Sequence, residues 1–338
     1  MRLFGKDLTR EVALIAEIGV NHEGDPEKAL ELLRLAAEAG ADAVKFQSYT
    51  PDRFVSSEDP ERLARVTRFA LDEAAHRRLA AEAEKAGVAF LSTPVTEDWV
   101  PLLAEIGAAI KIMSGDLTFP PTIRAAAVSG LPVLLSTGGG GIEEIDRAVG
   151  WIAEEMGEAA MAERLAVMHC VSAYPTPIEE ANLLAIPFMA QRYPSLTIGY
   201  SNHVMGPDAV LASVALGARV VEVHFTDRKE GREFRDHALS ADPADMAFLA
   251  GKIPEIAATR GRFEKVPQPS ERPAIEAIRK GVVAARDLAA GDSLTREDLM
   301  FARPASEVPA LDVELVIGKS LKRALAKGAV LRRADLEG

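Results

Sequence analysis

The sequence contains one cysteine in 338 residues. That excludes a disulfide framework and any cysteine-based zinc cluster, and it agrees with a reducing compartment. Positive charge is also scarce: 39 Lys and Arg stand against 51 Asp and Glu, a net charge of −12. A nucleic-acid binder needs a basic face to neutralise phosphates, so that class is excluded. Long apolar runs are missing from the N-terminus. Arg2, Lys6 and Arg10 precede an apolar stretch from Val12, but Glu17 interrupts it far short of a spanning length. No signal peptide or membrane partner is expected, and the chain reads as a cytoplasmic globular protein. What is present is 48% hydrophobic residues and a length that suits about two domains, or one barrel of about 250 residues with a small module. Should the ligand be an anion, the positive charge that binds it must be gathered locally.

One punctuation pattern recurs through the first 260 residues. An Ala-rich amphipathic stretch ends in a small or apolar residue plus Gly, as at Ala39-Gly40, Ala86-Gly87, Ile106-Gly107, Ser129-Gly130 and Leu216-Gly217, and a short β-branched run follows. Gly is the natural left-handed residue after a helix, and runs such as Val220-Val221-Glu222-Val223 read as buried strands. Strands are predicted near 12–18, 43–47, 89–93, 110–113, 132–136, 165–170, 197–200 and 220–224, each followed by a helix, the last around 243–259. Eight βα units over this length predict a (β/α)8 TIM barrel rather than a doubly wound sheet, whose GxGxxG turn is absent. The barrel is placed at 1–260 and a Pro-rich linker at 261–275, with Pro267, Pro269 and Pro273. Residues 276–338 form a compact module of short strands and turns. The module has 11 basic and 10 acidic residues, so the remaining residues carry the whole negative excess.

In such a barrel the active site lies at the carboxyl ends of the strands. The polar residues there are Glu17 and Asn21, Lys45 and Gln47, Ser92 and Thr93, Lys111 and Ser114, Ser136 and Thr137, His169 and Ser172, Ser201 and His203, and Glu222 and His224. Polar groups inside a barrel are costly unless paired or bound to a ligand, and here every strand contributes. Lys45 and Lys111 sit mid-strand between apolar neighbours. They suit phosphate and carboxylate oxygens, a Schiff base, or structural ion pairs to Glu17 or Glu222. Ser136-Thr137-Gly138-Gly139-Gly140-Gly141 leads into a helix expected near Ile142, a pattern that fits a phosphate cradle. His203 and His224 end adjacent strands, and two neutral imidazoles with open positions suit a divalent metal acting as a Lewis acid. The alternative is a hydrogen-bonded histidine pair, one of them a general base, with His22 and His237 competing for such roles. His76 reads as a surface residue, Cys170 as a buried structural thiol, and Met113, Met168 and Met205 as packing residues.

Taken together, these stretches resemble the sialic acid (N-acetylneuraminate) synthase family of phosphoenolpyruvate-dependent nonulosonate synthases. The pieces are Ile15-Ala16-Glu17-Ile18-Gly19-Val20-Asn21-His22-Glu23-Gly24, Val44-Lys45-Phe46-Gln47, Leu91-Ser92-Thr93-Pro94 and Lys111-Ile112-Met113-Ser114-Gly115-Asp116. They continue, collinearly, with Leu135-Ser136-Thr137-Gly138, the segment His169 to Pro177, Ile198-Gly199-Tyr200-Ser201-Asn202-His203, and the segment Glu222 to Arg228. The C-terminal module, through Val282 to Asp287 and Phe301-Ala302-Arg303-Pro304, resembles the antifreeze-protein-like (SAF) domain that closes these synthases.

The resemblance implies condensation of phosphoenolpyruvate with an N-acetylated hexose, N-acetylmannosamine first among them, to give a sialic acid and phosphate. It implies Mn²⁺ or Mg²⁺ on His203 and His224. Phosphoenolpyruvate falls to Lys45, Thr93, Lys111, Ser114, Ser136, Ser172 and Ser201, and the sugar to Gln47, Tyr174 and Asp236. Arg303 would reach the sugar of the other subunit in a domain-swapped homodimer. Glu17 and Asp116 are the candidates for moving protons or positioning water. Asp116 stands where the family often has Glu, Ser172 where some members have Asn, and Asn202 where many have Asp. Phe234-Arg235-Asp236-His237 replaces the more usual Gly-Pro-Asp. Related activities stay open: a synthase for legionaminate, pseudaminate or a 9-phosphate product, a Schiff-base aldolase using Lys45 or Lys111, or a non-catalytic carbohydrate-binding protein.

Overall fold

In a computed structural model, eight parallel strands lie where the apolar runs fall: β1 Ala13–Gly19, β2 Ala43–Ser48, β3 Ala89–Pro94, β4 Ala109–Ile112, β5 Val133–Ser136, β6 Leu165–Cys170, β7 Thr197–Asn202 and β8 Val220–His224. They close into a barrel in sequence order, β8 pairing back onto β1 with His224 beside Glu17. Residues 1–232, 234–305 and 307–337 are described. The chain divides into two units, Met1–Gly261 and Arg262–Gly338.

Local chemistry explains the helices between strands. Helix α1 (Pro26–Glu38) begins at Asp25, whose carboxylate accepts from the N–H groups of Glu27 and Lys28. The segment after β2 carries α2 (Pro60–Phe69), capped by Asp59, before the return helix α3 (Glu73–Ala86). Gly87 ends α3 at φ +73°, a conformation a side chain would strain. Helix α4 (Ile142–Met156) follows β5, and α5 (Pro243–Thr259) follows β8 with an Asp242–Asp245 capping box. The outward residues of the strands, such as Val44, Phe46, Val221 and Val223, pack beneath these helices.

The barrel interior changes character at one level. Its lower layer is apolar: Ala13, Ile15, Ala43, Leu91, Ala109, Leu134, Ala166, Met168 and Val220, plugged from the amino end by Leu3 and Leu8 of an N-terminal hairpin. Side chains two residues apart point to the same side of a strand. Moving up by two therefore replaces Ile15 with Glu17, Ala43 with Lys45, Leu91 with Thr93, Ala109 with Lys111, Leu134 with Ser136 and Val220 with Glu222. Gly199 of β7 completes the fit, since a Cβ there would stand 2.7 Å from the Val220 carbonyl oxygen. Polar residues thus enter on a firm apolar base.

The second unit has its own small core of Val282, Leu288, Leu294, Leu299, Val308, Val316, Leu321, Leu325 and Leu331. Strands β9 (Gly281–Ala284) and β10 (Leu299–Ala302) pair antiparallel. Two equivalent corners pin it: Arg286 bonds buried Asp298, and Arg323 bonds buried Asp335, each pair twelve residues apart. A helix, Arg272–Ile278, lies across the end of the Pro-rich stretch. Among the described residues no helix is long and apolar enough to cross a membrane.

Candidate active site

At the carboxyl end of the barrel the polar layer opens into a cavity of about 790 Å³, within the range of small-molecule clefts, ~300–1,000 Å³. Its floor is a four-residue ionic cluster. Lys111 Nζ donates to both carboxylate oxygens of Glu222, at 2.8 and 2.9 Å. Lys45 Nζ stands 3.2 Å from Glu222 Oε1 and 3.2 Å from Glu17 Oε2, and donates to Thr93 Oγ1 at 3.3 Å. Ser201, the strand partner of Glu222, donates to it at 3.0 Å. All four charged groups are buried.

Burial alone would raise the Glu222 carboxyl, but the Lys111 and Lys45 charges outweigh it and hold Glu222 well below the carboxylate range. Burial likewise works against the Lys45 charge, yet Glu17 and Glu222 raise its pKa. Burial pulls Lys111 below its ordinary value, against the attraction of Glu222. Glu17 behaves differently: burial, joined by the Glu222 charge, pushes it up to about 7 despite Lys45. Two carboxylates a strand apart are therefore separated into an ionised anchor and a proton-holding group. Gly19 gives Glu17 its room, since a Cβ there would sit 2.9 Å from Glu17 Oε1.

His203 and His224 face the same cavity with ring centroids 5.3 Å apart. Burial holds His203 at about 4 and His224 well below the ordinary imidazole value, so both rings are neutral at pH 7. His203 Nδ1 is 2.7 Å from the Val171 carbonyl, which fixes its proton there and leaves Nε2 with a lone pair. Two bare imidazole nitrogens in a cavity fit a divalent ion with open positions. Among the described residues no group of three His, Cys, Asp or Glu is placed to hold one.

On the opposite wall Ser114 Oγ accepts the Gly138 N–H at 3.0 Å, and Ser136 Oγ is buried without a partner. Gly138 itself is a cradle: a Cβ would meet Ser172 Oγ, Ser114 Oγ at 2.8 Å and Cys170 Sγ at 3.2 Å. The Ser114 and Ser136 hydroxyls and Lys111 thus line the part of the cavity where a small anion would be received.

Residues 32–265 of the chain match the NeuB family, and residues 279–337 match the SAF domain. The chain belongs to the NeuB family. Its relatives include the N,N'-diacetyllegionaminic acid synthase of Campylobacter jejuni, 35% identical over 92% of this chain and 96% of that protein. The N-acetylneuraminate-9-phosphate synthase of Drosophila melanogaster is 31% identical over 93% of each. Among solved structures, the N-acetylneuraminic acid (sialic acid) synthetase of Leptospira borgpetersenii is 34% identical with a TM-score of 0.74, covering 79% of this chain and 90% of that one. The chain is therefore an enzyme, a synthase of the sialic-acid type.

Of the residues expected at a NeuB site, Glu17, Lys45, Gln47, Thr93, Lys111, Ser114, Ser136, Tyr174, Ser201, His203, His224 and Asp236 all line the cavity. Gln47 lies 3.5 Å from Glu17, Tyr174 lies 4.0 Å over His203 between centroids, and Arg235 stands over the Tyr174 ring. Burial raises the Asp236 carboxyl. Two expected residues of the first unit are not on the wall. Asp116 sits on the turn after Ser114, where burial raises it to about 7 and leaves Oδ2 without a partner. Ser172 is exposed and reaches only the Gly138 rim. Arg303, in the second unit, is exposed and donates to the Ile278 carbonyl at 2.6 Å.

Further corrections follow from partners distant in sequence. His76 is fully buried, not superficial: Nε2 pairs with Ser48 Oγ at 2.8 Å, and Ser48 with Ser92 at 2.7 Å. The helix start at Ile142 is not a free anion site, because Glu143 and Glu144 occupy its first turn and Glu144 takes the Gly141 N–H. Met205 is exposed, whereas Met168 is buried as expected. His169 bonds the Ala181 carbonyl, and Asn21 bonds the Phe225 carbonyl, so both are structural. His237 bridges Thr226 and Glu23. Sequence reasoning left out Glu222 as the hub, and also Glu23, Arg62, Arg65 and Arg68, which line the cavity mouth.

Proposed function

We propose that this synthase condenses phosphoenolpyruvate with an N-acylated hexosamine, N-acetylmannosamine being the first candidate, to form a nonulosonate and release phosphate. The observation that supports it is the meeting, on one cavity floor, of the Lys45–Glu222–Lys111 cluster with the neutral His203–His224 pair. Lys111, Ser114, Ser136 and the Gly138 edge would receive the phosphate, with Lys45, Thr93 and Ser201 on the carboxylate side. Ser172 is placed at the rim of the same pocket. His203 and His224 would hold Mn²⁺ or Mg²⁺, which when bound would supply Lewis acidity for polarising the acceptor's aldehyde. Gln47, Tyr174 and Asp236 line the wall that the sugar would follow, and Arg303 of a second chain would close it in a homodimer.

Phosphoenolpyruvate attacks through C3, so positive charge develops at C2. The fixed Glu222 carboxylate lies among the groups that would face it and stabilises that charge without reorganising. Water then adds at C2, and the C–O bond to phosphate breaks. Glu17, poised near neutrality, holds or accepts the proton moved in this exchange. Asp116, outside the cavity wall, is assigned no step. A Schiff-base route through Lys45 is disfavoured because Glu17 and Glu222 favour its charged form, and Lys111 has its ammonium engaged by both Glu222 oxygens.

A second reading changes only the acceptor. Relatives named N,N'-diacetyllegionaminic acid synthases match at 35% and 32% identity, which favours a sugar with two acylamino groups. Phosphate release from phosphoenolpyruvate with Mn²⁺, measured across a panel of N-acetylated hexoses, tests both. Release that depends on an acceptor is expected, and none with any acceptor would remove the proposal.

A further inference from the structure

We infer that Glu23 selects the acceptor sugar by accepting a hydrogen bond from an O–H or N–H donor on the part remote from its aldehyde, and that buried His237 positions it. This rests on the synthase reading above and adds a specificity-determining contact to the same site. Glu23 lies in the turn after β1 at φ +51°, the left-handed region that favours glycine, and it lines the cavity. The other described non-glycine residues with positive φ, Phe4 and Asn182, do not line it. The turn is enforced from within and from outside. The Glu23 N–H donates to the Val20 carbonyl at 2.8 Å, and the Gly24 N–H to His22 Nδ1 at 3.0 Å. Gly24 abuts α2 so closely that a Cβ there would collide with the Arg68 carbonyl oxygen. Strain of this kind persists only where the surroundings over-determine it, and it gathers at ligand contacts.

His237, fully buried, brings Nε2 to 3.2 Å from Glu23 Oε1 and Nδ1 to 2.6 Å from Thr226 Oγ1. Burial lowers its pKa, so at pH 7 the ring is neutral and carries one proton. A carboxylate only accepts, so that proton sits on Nε2 and the Thr226 hydroxyl donates to Nδ1. His237 is thus a fixed donor to one oxygen of Glu23. Asn21 sews the same two loops together, donating to the Phe225 carbonyl at 2.8 Å and to Ser240 Oγ at 3.1 Å. Ser240 in turn donates to the Asp236 carbonyl at 2.6 Å. Glu23 and Asp236 are therefore held along one seam between the loops after β1 and β8. Arg62, Arg65, Arg68 and Arg235 line the same mouth, yet among the described residues the partner of the Glu23 carboxylate is the neutral imidazole. Its charge is held for something else. Phosphoenolpyruvate is an anion, which a carboxylate repels, whereas a sugar offers O–H and N–H donors. The aldehyde must reach the floor, so the donor that meets Glu23 belongs to the far part of the sugar.

The test measures phosphate release by wild type, E23G and E23Q with N-acetylmannosamine and its 4-, 5- and 6-deoxy analogues. Glycine relieves the positive φ, so E23G is expected to keep the wild-type unfolding midpoint. It should nevertheless lose on the order of 10–100-fold in kcat/KM for the acceptor, as removal of a hydrogen bond to a charged group does. E23Q, which keeps an acceptor oxygen without the charge, should lose less, and KM for phosphoenolpyruvate should stay within about twofold in both. One deoxy analogue should lose a similar factor on wild type and no further on E23G. H237Q, whose amide offers an N–H near the place of Nε2, should keep more acceptor kcat/KM than H237L; where H237L does not fold, the E23G kinetics decide. Unchanged acceptor kinetics in E23G, a loss carried in KM for phosphoenolpyruvate, or an equal further loss on every analogue would each overturn the assignment. Failure of every sugar to draw phosphate from phosphoenolpyruvate with wild type would instead strike the synthase reading itself.

Discussion

Lys111 places its ammonium between the two carboxylate oxygens of Glu222, at 2.8 and 2.9 Å, at the level where the barrel interior turns from apolar to polar. Glu222 also meets Lys45 and Ser201, so one carboxylate fixes two lysines from β2 and β4 against β8. Buried ion pairs return little net stability, but they hold their charges in a single geometry. Here that geometry faces the cavity.

Replacing Glu222 with Gln tests the hub. It leaves Lys111 and Lys45 buried with one countercharge between them, and breaking such a cluster costs about 3–5 kcal/mol. Denaturant unfolding should show that loss. Steady-state assays should show kcat/KM for phosphoenolpyruvate falling at least ~100-fold, since both lysines lose their position. Unchanged kinetics would mean the lysines are oriented by something else.

Glu17 predicts a pH dependence. Its folded pKa, about 7, lies above the ordinary 4.5. The unfolded chain releases this proton first as pH rises, so the group lowers stability progressively between those values and by a constant amount above them. The difference amounts to about 3 kcal/mol. The buried histidines, whose pKa values are lowered, add the same rise with pH to metal-free wild type and E17Q, so in urea unfolding the stability of wild type relative to E17Q should fall between pH 5 and pH 8. An unchanged difference would mean Glu17 is ionised throughout.

Gly138→Ala should act on phosphoenolpyruvate binding. The added methyl meets Ser114 Oγ at 2.8 Å and crowds Cys170 and Ser172. Overpacking of this kind costs about 1–3 kcal/mol, and it displaces the hydroxyl that accepts the Gly138 N–H. KM for phosphoenolpyruvate should rise about tenfold or more, with kcat less affected. A change in kcat alone would contradict the wall assigned to the phosphate.

His76→Ala supplies the contrast. His76 lies behind the strands, bonded to Ser48 and the Asp72 carbonyl and packed on Trp99. Its removal should cost about 2–4 kcal/mol of stability by thermal unfolding. The folded fraction should keep kcat/KM within about twofold.

The barrel was legible because its strands and helices carry their periods openly, and Lys45/Gln47 and Glu222/His224 share parity as the alternation requires. Most wall residues followed from being polar at strand ends. What stayed hidden depended on distance in sequence. His76 has Glu73, Arg77 and Arg78 around it and reads as solvated, until Ser48 and Ser92 come across from two strands. Arg62, Arg65 and Arg68 look like an exposed helix face, which they are; only the closure of β2 beside β1 puts that face over the mouth. Glu222 reads as a partner for a lysine, and nothing local says it serves two. Glu144 masks the glycine-rich turn by capping its own helix.

The most direct test measures phosphate and nonulosonate together, with phosphoenolpyruvate and an N-acylated hexosamine, on metal-loaded and chelated enzyme with and without borohydride. The account predicts one phosphate per nonulosonate, only with the divalent ion present, and no inactivation by borohydride. Turnover that persists after chelation, together with borohydride inactivation in the presence of substrate, would contradict it and make Lys45 or Lys111 a covalent catalyst.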